Sequence, residues 1–280
     1  MNETMQQLSI GFSPCPNDTF MFDALLNGKL IQDDFSFKPV IEDVEQLNLH
    51  AFNADLDITK MSFFAYARAS QFYKILNAGS ALGKNCGPLL ISNKQIDNDK
   101  LSGLKIAIPG KNTTANLLLS VFYPQIINKT ELLFSEIENA VLSQEFEAGL
   151  IIHENRFTYE AKGLKKIADL GQLWEQSTGH PIPLGCIAIK RSLNNDSIKK
   201  IDQLLKSSIE YAFEYPEKVM PFVKLHAQEM DENVMQQHIN LYVNEFSKDL
   251  GLQGKAAINL LFEKAKSLGL IDQINSDIFA

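Results

Sequence analysis

From residue 6 to about 190 the chain alternates short apolar runs with stretches at helical spacing, and after residue 195 only the helical spacing remains. The apolar runs are Leu8–Ser13, Phe35–Ile41, Leu56–Met61, Lys74–Ala78, Leu89–Ser92, Lys105–Ile108, Glu131–Phe134, Gly149–His153 and Gly185–Lys190. Several lack polar alternation, the pattern of strands covered on both faces. Helical stretches fall between them, such as Thr19–Asn27 closed by Gly28, Val44–Asn53, Thr114–Phe122 and Ile137–Glu145. This order predicts an α/β fold with mixed, mainly parallel sheets flanked by helices. The tail carries three apolar stripes at helical spacing, over Ile198–Phe213, Val234–Val243 and Ala257–Leu268, the first ending near Pro216.

No Pro/Ser/Gly-rich linker divides the 280 residues. Two lobes would therefore be joined through ordered crossings, for which Gly87–Asn93 and Ile182–Ser192, each entered by proline, are the candidates. The expected division is residues 1–91 with 190–280 as one lobe and 92–189 as an inserted second lobe. A hydrophobic share of 45% supplies ample core. The net charge of −8, with no basic run, argues against nucleic acid as a partner. It leaves room for a small anion, since backbone dipoles act locally. Three widely spaced cysteines and a start without a basic or long apolar stretch predict a cytoplasmic chain, without a disulfide framework or membrane span.

Four places could carry chemistry. Ser13-Pro14-Cys15-Pro16-Asn17-Asp18-Thr19 and Ile108-Pro109-Gly110-Lys111-Asn112-Thr113-Thr114-Ala115 both read as strand, turn and helix start. Free N–H groups at a helix start attract carboxylate or phosphate, although the same residues could serve only as caps. In Gly149-Leu150-Ile151-Ile152-His153-Glu154 an apolar strand ends on a histidine, whose ordinary pKa suits proton transfer near neutrality. A backbone carbonyl could equally satisfy that ring. In Thr59-Lys60-Met61-Ser62 a lysine and a hydroxyl would suit a carboxylate, or simply be a solvated charge and a cap. Cys15 could be a nucleophile or a rigid turn residue. His238, on the second tail stripe, reads as a packing residue. The histidines and cysteines lack metal-ligand spacing, and no nucleotide-binding loop occurs.

These strings, in this order and with Leu170–Gly185 and Tyr242–Gly251, resemble the 1,4-dihydroxy-6-naphthoate synthases of the futalosine route to menaquinone. The resemblance implies a type II periplasmic-binding-protein fold, two-lobed with a cleft, and no metal or cofactor. It implies a lyase acting on the carboxylated substrate cyclic dehypoxanthine futalosine, which loses its sugar-derived part. By matching strings, His153 would be the base, and Lys60, Met61, Ser62, Thr114 and Ala115 would touch substrate, with Asp18 and Thr113 as further candidates. Histidine often stands in this family where Asn112 stands here, so the resemblance assigns Asn112 no role. Two alternatives are the chorismate-dehydrating relative and a solute-binding receptor for a small carboxylate. A regulator's sensing domain would need a basic recognition helix, which the tail lacks.

Overall fold

The computed structural model describes residues 5–31, 33–97, 100–228 and 231–280. Residues 1–4, part of the start considered above, lie outside that set. Two mixed sheets are present. The first contains β1 (Gln6–Phe12), β2 (Phe35–Ile41), β3 (Ile58–Ser62), β4 (Tyr73–Ile75), β5 (Ala81–Gly83) and β11 (Ile182–Lys190). The second contains β6 (Leu89–Ser92), β7 (Ile106–Ile108), β8 (Lys129–Glu131), β9 (Ala148–Ile151) and β10 (Lys165–Asp169).

In the first sheet β1 runs parallel to β2 and β3, and β11 returns antiparallel to β3, β4 and β5. In the second, β7 is parallel to β8 and β9, while β6 and β10 run antiparallel to their neighbours. The antiparallel strands β6 and β11 follow the two crossings. A strand that enters or leaves a sheet from the other lobe need not obey the βαβ handedness that keeps the rest parallel.

The helix α1 (Pro16–Leu26) is buried along almost its whole length, polar residues Asn17, Asp18 and Asp23 included. It packs on α8 (Asn195–Glu214), α9 (Pro216–His226) and α10 (Glu232–Tyr242). The tail stripes form α8, α10 and α12 (Gly251–Ser267), which bury Ile201, Ile239 and Leu261 among others. Pro216 ends the first stripe by opening a further helix, α9, at its N1 position, where its missing N–H costs nothing. The elements that alternation did not show are short or polar: β5 has three residues, and β10 reads Lys-Lys-Ile-Ala-Asp. The run Glu131–Phe134 is displaced, since pairing with β7 ends at Glu131 and a 3-10 turn begins at Phe134. Among the described residues no helix is long and apolar enough to cross a membrane.

Candidate functional site

A narrow cavity lies between the carboxyl ends of the two sheets. It holds about 570 Å³ of empty space, counting its mouth. Lys60, Ser62 and Gly185 line it from the first sheet, and Ile152, His153 and Thr113–Ala115 from the second. Asn17 and Tyr242 close it from the helices.

The first turn is already occupied by its own anion. Asp18 Oδ2 accepts from the Ser13 N–H at 2.9 Å and hydroxyl at 2.6 Å, and from Lys60 Nζ at 2.6 Å. Asn17 Nδ2 donates to the other carboxylate oxygen at 2.8 Å. The N–H groups of Asp18 and Thr19 are turned to the Cys15 carbonyl, and Pro16 has none to offer. An ion pair this deeply buried needs such a full set of donors to offset desolvation. Lys60 retains one of its three N–H donors beyond those used on Asp18 and Ser13. Strand alternation places Lys60 and Ser62 on the cavity side and turns Met61 into the core on the other. The Met61 side chain therefore does not line the cavity.

The second turn leaves the first two helical donors open. Thr113 is the N-cap of α4 (Thr114–Phe122); its Oγ1 accepts from Asn116 N–H at 3.2 Å and donates to the Gly110 carbonyl at 2.8 Å. The cap accounts for the third helical N–H, so those of Thr114 and Ala115, at the cavity wall, have no intrahelical partner. The Thr114 hydroxyl is not free: it donates to the Leu184 carbonyl at 2.6 Å, tying α4 to β11. Ser62 differs. Its N–H goes to Asn48 Oδ1 at 2.9 Å and its Oγ accepts from Asn48 Nδ2 at 3.3 Å, which leaves the hydroxyl proton to give.

Asn112 spans the gap. Its N–H and Nδ2 donate to Glu45 Oε1 at 3.1 and 2.6 Å, and Glu45 Oε2 accepts from Asn48 at 2.9 Å. A hydrogen-bonded chain thus runs from the second turn to Ser62. Gly110 permits the approach: its φ is +148°, and a Cβ there would sit 2.6 Å from the Glu45 carboxyl. Burial pushes the Glu45 carboxyl up from its ordinary value, partly offset by these donors.

His153 lies two residues past β9 in the left-handed region, at φ 56°. That backbone turns the ring off the strand axis into the cavity, against the edge of Phe134 at 5.0 Å between centroids. Its Nε2 is buried and has no hydrogen-bond partner among the described residues. Burial first, and the Lys60 ammonium second, push the imidazole down to about 3, so the ring is neutral near pH 7. The neighbouring Glu154 is pushed up by burial but drawn down more strongly by His238, to about 2. Cys15 is buried, and burial with the Glu154 charge raises its thiol well above the ordinary value. A thiol so held is no nucleophile at neutrality.

Sequence reading placed His238 in the core, and it is fully buried. It missed that the ring faces the site: Nε2 lies 3.0 Å from Asn17 Oδ1, and the ring stacks on His153 at 6.1 Å with 13° between planes. The separation of 221 positions between Asn17 and His238 hid the pairing. A histidine breaking an otherwise apolar stripe was the one available signal.

Two sheets meeting across a cleft, with open helical N–H groups and a neutral histidine on one wall and a compensated ion pair on the other, define a two-lobed fold of the periplasmic-binding type. The chain belongs to the menaquinone biosynthesis family, whose model matches residues 8–267. It is 43% identical over 266 residues to the 1,4-dihydroxy-6-naphtoate synthase of Thermus thermophilus, covering 95% of this chain and 96% of that one. The enzyme of the same name from Streptomyces coelicolor is 40% identical over 278 residues, covering 98% of each. A crystal structure of a protein from Archaeoglobus fulgidus superposes with a TM-score of 0.90 at 35% identity, over 95% of this chain and 98% of that one. The periplasmic aliphatic sulphonate binding protein of Escherichia coli shares the fold at a TM-score of 0.63 and 14% identity, over 97% and 94% of the two chains.

Proposed function

We propose that this chain is a 1,4-dihydroxy-6-naphthoate synthase, a lyase that cleaves cyclic dehypoxanthine futalosine with His153 as the general base. The observation that carries the reading is His153 itself: a neutral ring whose buried, unpartnered Nε2 faces an enclosed cavity. The two close relatives by name support the product. His153 takes a proton from carbon, and the electron pair left behind forms a ring double bond as the adjacent carbon–carbon bond breaks. The sugar-derived fragment leaves with that bonding pair and takes up the proton from His153, and aromatisation of the remaining ring drives its release. A positioned base contributes roughly 10²–10⁴-fold to such a step. The free N–H groups of Thr114 and Ala115, at the positive end of α4, suit the substrate carboxylate. The Ser62 hydroxyl and the remaining Lys60 donor suit oxygens on the opposite wall. The bodies that close on it would be residues 1–91 with 190–280, and 92–189, with β11 moving with the first sheet and β6 with the second.

The test is to incubate the purified protein with cyclic dehypoxanthine futalosine and follow naphthoate fluorescence, with His153→Asn as the control. Asparagine tolerates the left-handed backbone that alanine would strain. Turnover by the parent and a loss of at least 100-fold in the variant are expected. More than a tenth of parental turnover remaining would rule His153 out as the base. Tight binding without turnover would favour a solute receptor instead, and consumption of chorismate would favour the dehydrating relative.

A further inference from the structure

Three of the five buried side-chain polar atoms left unpartnered among the described residues belong to one cluster: His153 Nε2, Glu154 Oε2 and His238 Nδ1. Their protons can be assigned by following the hydrogen bonds inward from Asp18. That carboxylate accepts from Asn17 Nδ2 at 2.8 Å, which fixes the amide, since the reverse orientation would set a carbonyl oxygen on a carboxylate oxygen. Asn17 therefore presents Oδ1 to His238 Nε2 at 3.0 Å, and an acceptor there requires Nε2 to carry hydrogen. In a neutral His238 the other nitrogen, Nδ1, would then point a lone pair at Glu154 Oε2, 3.5 Å away. Two acceptors, both buried, do not sit together without a proton between them.

We propose that His238 is doubly protonated and forms with Glu154 a buried ion pair across the cleft, making His238 a positioning residue whose charge opposes protonation of His153. This rests on the reading of His153 as the base. Glu154 follows the second sheet, whereas His238 lies on α10 against α1, so the pair is complete only when the two walls meet. The cationic ring lies parallel to His153 at 6.1 Å and opposes a second positive charge there. Glu154 has the opposite influence, as does Asp18 on α1, while Lys60 on β3 adds to His238. Cys15 and Tyr242, whose hydroxyl burial holds above its ordinary range, remain neutral beside them.

The direct test is the protonation of the ring nitrogens in the ¹⁵N-labelled full chain by NMR, with His238→Gln to assign the signals. The expected result at pH 7 is hydrogen on both nitrogens of His238, lost at a lower pH in Glu154→Gln. A His238 ring protonated only on Nε2 overturns the ion pair. The second test is the pH profile of turnover on cyclic dehypoxanthine futalosine. Glutamine at 238 keeps a donor for Asn17 but carries no charge, so His153 binds its proton more readily and the acid limb moves up by about one pH unit. Glu154→Gln removes the opposing charge and moves the limb down. Equal losses at every pH in both variants would mean a merely structural role and would overturn the positioning claim. A wild-type protein that releases no naphthoate overturns the functional reading and the positioning role with it, while the ring-nitrogen result still decides the ion pair.

Discussion

The two strand–turn–helix segments that frame the cavity look alike in sequence and end in opposite states. At Ser13–Thr19 the turn ahead of the helix is filled by its own carboxylate, Asp18, which accepts from the Ser13 N–H and pairs with Lys60. At Pro109–Ala115 the carboxylate comes from outside the turn, Glu45 on Asn112; Thr113 caps Asn116, and the N–H groups of Thr114 and Ala115 stay open to the cavity. The difference comes from the neighbouring strand. β3 brings a lysine beside the first turn, so a carboxylate can be buried there at bearable cost, and the result is a rigid wall. The lysines near the start of α4 are engaged elsewhere, Lys111 with Glu131 and Lys129 with the Asn116 and Ser120 side chains, and the helix dipole remains available to an incoming anion. One turn supports the site and, on the proposed function, the other receives the ligand.

Asp18→Ala would break this comparison most severely. It leaves the Lys60 ammonium buried with one remaining partner, Ser13, whose own N–H and hydroxyl also lose their acceptor. Removing one member of a buried pair costs about 3–5 kcal/mol. That corresponds to a fall of roughly 6–20 °C in melting temperature for a chain of this size. Thermal unfolding followed by circular dichroism measures it. A change under about 1 kcal/mol would mean that solvent reaches the pair and that the wall is not rigid.

A smaller effect should appear as the pH is lowered. His153 faces the first turn, and burial with Lys60 brings its pKa down from 6.5 to about 3. Because the folded value lies below the unfolded one, the unfolded chain takes up the proton first and folding is progressively penalised as pH falls through 6.5 towards 3. Between pH 6.5 and 4.5 the loss should be about 2 kcal/mol, and His153→Asn should lack that part of it. Urea melts of both proteins at several pH values give the difference directly. Parallel curves would show that the ring is solvated rather than held neutral by its surroundings.

How much of this was legible in the sequence follows the range of the interactions. The turns are local, and Pro16 at N1 of α1 and Thr113 as the cap of α4 were visible as strand-to-helix punctuation. The end of an apolar strand at His153 was also local, although its left-handed backbone was not. What fills each turn is decided by residues far along the chain: Lys60 lies 42 positions from Asp18, and Glu45 lies 67 from Asn112. The core-facing side of Met61 was not legible, because a matching string carries no face, whereas the pleat of β3 does. Glu45 and Asn48 escaped notice altogether, since on an amphipathic helix they read as ordinary surface polar residues until the second wall closes over them.

The gentlest test concerns that closure. Asn112→Ala removes one of the two donors to Glu45 Oε1 but keeps the backbone N–H, the Thr113 cap and the open N–H groups of α4. A hydrogen bond to a charged acceptor contributes about 1.5–3 kcal/mol, and part of it returns as water takes the vacant place. The closed form should lose about 1 kcal/mol, so KM rises roughly 3- to 10-fold with kcat little changed. Gly110→Ala should act in the same direction more strongly, because its methyl would collide with the Glu45 carboxyl and wedge the walls apart. If the alanine at 112 instead lowered kcat and left KM alone, Asn112 would belong to the chemistry. The second turn would then do more than receive an anion.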